Sequence, residues 1–112
     1  MQVQDFRMSQ GDDKTISVEV TEAEDGSATN ITNSTIAWKA ARSINKTAAI
    51  SKTTASGISI TNGTGGVFQI TLDPADTASL IGDYYHEAQI TFSDGEISTV
   101  MKGVMTVEPD LV

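Results

Sequence analysis

The sequence predicts an all-β protein, an antiparallel sandwich of about seven or eight strands. Three observations predict it. Apolar residues recur at every second position through most of the chain, residues that tolerate positive φ separate those runs, and no helical stripe of useful length occurs. Each run has one apolar and one polar face, which suits antiparallel sheets with one side in water.

The runs follow in order. In 3–8, Phe6 and Met8 share a face, and in 14–21 Ile16, Val18 and Val20 alternate with Thr15, Ser17 and Glu19. In 35–41 the apolar parity is Ile36, Trp38 and Ala40, in 57–61 it is Ile58 and Ile60, and in 67–73 it is Phe68, Ile70 and Leu72. In 83–92 Tyr84, His86, Ala88, Ile90 and Phe92 take one face, and Tyr85, Glu87, Gln89 and Thr91 the other. Asp25-Gly26, Asn62-Gly63, Gly65-Gly66 and Asp94-Gly95 supply the turns, and Asp94-Gly95 is the strongest hairpin signal. Asp73 followed by Pro74 predicts a helical turn within 74–80. The last run, 97–107, carries apolar residues on both parities. Either a bulge near Gly103 shifts its register or its outer face is covered.

At 112 residues the chain is read as one domain, 1–112. The net charge is −8, and no stripe of Lys or Arg offsets it. Such a field repels phosphate, so nucleic acid and anionic membranes are not expected as partners. No run approaches the ~18 consecutive apolar residues of a membrane helix. The N-terminus lacks the basic-then-apolar pattern of a secretory signal, and the chain has no cysteine. Both features suit folding in a cytoplasm without disulfides.

Catalysis is not expected. His86 is the single histidine, and its parity places it in the core with Trp38, Phe68 and Tyr84. A Ser-His-Asp set can be written with Ser79 or Ser93, yet no G-x-S-x-G elbow is present. The carboxylates at 12–13, 73/76 and 94/96 fit caps and turns and do not match a calcium loop, so neither metal nor cofactor is expected. The 62–66 stretch lacks the Lys-Ser/Thr of a phosphate loop and reads as a hairpin connection. All four asparagines (Asn30, Asn33, Asn45 and Asn62) stand in N-x-[ST] patterns, which also suit turns.

The stretch "DPADTASLIGDYYHE", residues 73–87, resembles the corner of an antibody variable domain before its second disulfide cysteine, with His86 in the cysteine's place. A buried Tyr84 would pin that corner by bonding its hydroxyl to upstream backbone. With "QGDD" at 10–13, "TIAWKAAR" at 35–42, "GVFQITLDPADT" at 66–77, "GDYYHEAQITFSDG" at 82–95 and "KGVMTVEP" at 102–109, the chain resembles the immunoglobulin-like domains of tailed-bacteriophage structural proteins. It is similar in particular to the N-terminal domain of phage upper baseplate proteins. The resemblance implies a non-enzymatic virion protein, folded in the host bacterial cytoplasm and attached to neighbours by surface contacts. Capsid decoration or cement comes first, and a tail or neck accessory second. Expected partners are a major capsid, tail or neck protein, with self-association in the particle left open. The off-core parity of the terminal strands nominates Val3, Val100 and Val104 as contact residues, followed by loops 26–33 and 41–46. The alternative is a carbohydrate-binding or adhesin-like module. It lacks an evident ring platform, because Trp38, Phe68, Tyr84 and Phe92 all read as core.

Overall fold

A computed structural model describes residues 2–21, 26–43 and 46–111. Nine strands and one helical turn occur among them: β1 (Gln2–Val3), β2 (Phe6–Ser9), β3 (Lys14–Glu19), β4 (Thr35–Ala41), β5 (Ile50–Thr53), β6 (Ile58–Asn62), β7 (Val67–Leu72), α1 (Pro74–Thr77), β8 (Gly82–Thr91) and β9 (Ile97–Glu108). The larger sheet runs β1-β9-β8-β4-β5, with β2 also on β9, and the smaller runs β3-β7-β6. This is an immunoglobulin-like sandwich: β3, β7 and β6 take the places of strands B, E and D, and β9, β8, β4 and β5 those of G, F, C and C′.

The alternation seen in the sequence builds the core directly. Ile16 and Val18 from β3, Ile36, Trp38 and Ala40 from β4, Phe68, Ile70 and Leu72 from β7, and Tyr84, His86, Ala88 and Ile90 from β8 are all buried. Trp38 and Phe68 have no exposed surface. Each such apolar side chain contributes about 1.5–3 kcal/mol of transfer free energy, which is how a chain without disulfides holds two sheets together.

Two strands exceed the sequence expectation. The N-terminal run is split at Gln4-Asp5 into β1 and β2, both parallel to β9. β5 was not foreseen because it buries a single apolar residue, Ile50. Its Lys52 sits on the inward parity opposite Trp38 and reaches Asp76 Oδ2 at 2.8 Å. Both side chains are mostly buried, so this ion pair ties β5 to the α1 turn.

The corner before β8 forms, with a different pin. Asp76 Oδ2 accepts from the Asp73 N–H at 2.7 Å, closing the start of α1. Thr77 is fully buried and its Oγ1 accepts from the Gly11 N–H at 3.0 Å. The Arg42 guanidinium lies 4.4 Å from the Tyr84 ring centroid and donates to the Ile81 carbonyl. The Tyr84 hydroxyl takes no part in the hydrogen bonds of the described residues. Its ring is held by packing and by the arginine, contrary to the expected backbone bond.

The mixed parity of β9 also resolves. Ala88 pairs with Met101 and Gln89 with Thr99, so Val100 is the extra residue of a bulge. The bulge lies three residues before the expected position. Gly103, where a break was expected, pairs in register with His86. A Cβ at 103 would lie 2.3 Å from the Gln4 carbonyl oxygen, so glycine is required for the kink between β1 and β2 to run this close beside β9.

Replacing Gly103 with alanine therefore forces the Gln4 peptide outward. The expected loss is about 1–3 kcal/mol of unfolding free energy, from overpacking, read as a lower denaturant midpoint. An unchanged midpoint would show that the Gln4 peptide does not lie against residue 103.

Candidate functional site

The chemistry-bearing side chains separate into a buried set and a surface set. His86 is 2% exposed. Trp38 Nε1 donates to His86 Nδ1 at 3.1 Å, and His86 Nε2 lies 2.7 Å from the Gln4 carbonyl oxygen. A carbonyl can only accept, so Nε2 carries the proton and Nδ1 is the acceptor. The Phe6 ring packs edge-on against the imidazole at 5.1 Å. Both nitrogens are thus engaged, and Ser79 and Ser93 are exposed while the imidazole is in the core. The only histidine holds structure together and has no nitrogen left for a substrate.

Burial lowers the His86 pKa below 6.5, with the Gln4 hydrogen bond and the Asp5 charge partly opposing it. Protonation would also turn Nδ1 into a donor facing the donor of Trp38, leaving the indole N–H unpaired.

The surface carboxylates serve local structure. Asp94 Oδ1 accepts from the Glu96 N–H at 2.9 Å in the β8–β9 hairpin, where Gly95 has φ 92°. Asn62 Oδ1 accepts from the Gly65 N–H at 3.0 Å in the β6–β7 connection. Asn30 Oδ1 accepts from the Thr32 N–H at 2.9 Å, and Asn45 lies outside the described residues. No cluster of three or more His, Cys, Asp or Glu suited to a metal occurs among the described residues. A groove of about 990 Å³ at one end of the sandwich is lined by Gln2, Asn30, Phe92, Asp94, Glu96 and Val100, among others. Phe92, expected in the core, is half-buried and borders it. The groove's polar groups are partly committed: Asn30 and Asp94 to the turns above, and the Gln2 amide to the Glu19 carbonyl.

The three nominated contact residues part company. Val3 is 71% exposed on β1. Val104 is half-buried and borders a shallow surface recess with Asp5, Phe6, Arg7 and Thr106, and its N–H donates to Asp5 Oδ1 at 2.8 Å. Val100 is buried at the bulge beside Met101 and borders the end groove, so it does not share the outward face of Val3 and Val104. Of the nominated loops, Ile31 is fully buried and anchors 26–33, while residues 44 and 45 of the other loop lie outside the described residues. Tyr85, at 54% exposed, was passed over as a contact. It pairs in register with Val104 on the outward face of the larger sheet.

That face has a distinct charge. Its outward strand positions carry Arg7, Lys39 and Lys102 against Asp83, Glu87 and Glu108. Three basic residues balance three acidic ones, so the other four basic and twelve acidic residues of the chain carry the whole −8. Asp5, in the β1–β2 kink, adds one carboxylate at the rim. The remaining outward residues are chiefly Thr, Ala, Val and Tyr. Neither a protein-family model nor a curated protein matches the chain.

The imidazole assignment sets a pH dependence. With its pKa lowered by folding, His86 stabilises the fold fully above pH 6.5, and that contribution falls as pH drops through 6.5 toward the folded-state pKa. The urea midpoint is expected to fall between about pH 7.5 and about pH 5.5 in the native chain and to stay level over that window in His86→Gln, whose amide can accept and donate without titrating. Equal slopes in the two proteins would assign the pH dependence to carboxylates.

Proposed function

We propose that the chain is a non-enzymatic structural module of a tailed-phage particle, a capsid decoration or cement protein before a tail or neck accessory. The observation that carries this reading is the charge-balanced outward face of the larger sheet. On a chain of net charge −8 its outward strand positions carry three basic and three acidic residues, and it presents Val3, Tyr85 and Val104. Depletion of net charge with an aromatic at the centre is the pattern of a protein-contact surface. The use of both His86 nitrogens inside the core supports a non-catalytic role for that residue. The series of motifs from 10–13 to 102–109 supports the phage origin.

Attachment then works by complementarity of rigid surfaces. The sandwich arrives folded, so little ordering entropy is lost on binding, and symmetry repeats a modest contact many times over a shell. The partner is a major capsid, tail or neck protein, and the location is the virion.

The reading is tested by mixing the purified chain with undecorated heads, and separately with tails, and sedimenting them. Saturable co-sedimentation with one of the two is expected. Val104→Glu, which puts a charge into the face without touching the core, should weaken it about tenfold or more. Failure to sediment with either particle, or undiminished binding by the folded variant, would contradict the assignment.

A further inference from the structure

The β4–β8 half of the same face is complementary to itself. In register, Tyr85 lies beside Ala41, Glu87 beside Lys39, Gln89 beside Ala37 and Thr91 beside Thr35. β8 therefore presents a ridge of large side chains, and β4 a shallower row in which alanines flank one lysine. Lys39 and Glu87 are exposed neighbours of opposite charge, and neither forms an ion pair among the described residues.

We infer that this half-face binds a second copy of the chain about a two-fold axis running between β4 and β8, parallel to the strands. The register dictates the contacts. Turning the face over about that axis exchanges the two strands while preserving position along them. Tyr85 then falls on Ala41 of the second copy, Gln89 on Ala37, Thr91 on Thr35, and Glu87 on Lys39. Each contact occurs twice, as an isologous interface requires. An aromatic ring meets an alanine recess, and two reciprocal carboxylate–ammonium pairs form where the interface begins to exclude water. Aligned packing of two sheets face to face is a standard geometry for such surfaces.

Charge selects the occupant. Two copies each carrying −8 repel through most of their surface, whereas the paired outward positions of 35–41 and 85–91 carry only Lys39 and Glu87, so two copies can meet there without adding like charge to like. The axis leaves Val3 at the far edge of the sheet, while Tyr85 belongs to both contact surfaces, so the two contacts are separated by what is measured. Like the module reading, the inference draws on the balanced face, but it is measured on the isolated chain. A failure here leaves head binding untouched, and the converse holds.

The test is the solution mass over a concentration series up to about 0.5 mM, by light scattering or sedimentation. The native chain should rise from 11.8 kDa toward twice that value. Lys39→Glu and Glu87→Lys should each weaken pairing about tenfold or more, while the double swap Lys39→Glu/Glu87→Lys restores it. Ala41→Arg, which fills the recess under Tyr85, should leave a folded monomer by circular dichroism. A native chain that stays at 11.8 kDa throughout, single reversals that pair as well as the native chain, or a folded double swap that stays monomeric would each overturn the inference.

Discussion

The hydrogen-bonded line from the Trp38 indole through the His86 imidazole to the Gln4 carbonyl is the constraint on which the rest of this sandwich depends. It crosses three separate pieces of the larger sheet: β4, β8 and the kink between β1 and β2. Polar atoms at the centre of a core are costly unless every one is paired. Here the indole donor, the imidazole acceptor, the imidazole donor and the carbonyl acceptor match one for one. The line therefore specifies where the kink between β1 and β2 must sit beside β9, since it brings the Gln4 oxygen to Nε2. Gly103 is the necessary complement, because any side chain there would occupy the space of that carbonyl.

An immunoglobulin sandwich without a disulfide must fix its core by packing and hydrogen bonds. In this chain the histidine stands where the antibody corner has its cysteine, and it joins the first strand to the centre. Its contribution is conditional on remaining neutral, so the integrity of the terminal strands is coupled to proton concentration.

The fold was largely legible in the sequence. Strict alternation along 83–92 fixed which residues of β8 point inward, and Asp94-Gly95 fixed the hairpin that follows. The line through His86 was not legible, because its members lie 48 and 82 residues apart and one of them is a backbone carbonyl. Nor was the burial of Val100. A bulge is a mismatch in counting between two strands, and neither strand shows it alone. Gly103 stands out in the sequence for its missing side chain, yet the reason is the close Gln4 carbonyl of the neighbouring strand, and the register with β8 is unbroken there. The self-complementary half-face needed the β4–β8 register as well, since the pairing of Tyr85 with Ala41 is invisible until the strands are aligned.

His86 is a neutral, Nε2-protonated bridge between Trp38 and Gln4. Nitrogen-15 spectra of the imidazole, correlated through its carbon-bound protons at about pH 7, report this directly. A single Nε2–H tautomer is expected, with Nδ1 at an acceptor shift and a pKa below 6.5. An Nδ1–H tautomer, a rapidly averaged pair of tautomers, or a pKa above 6.5 would contradict it.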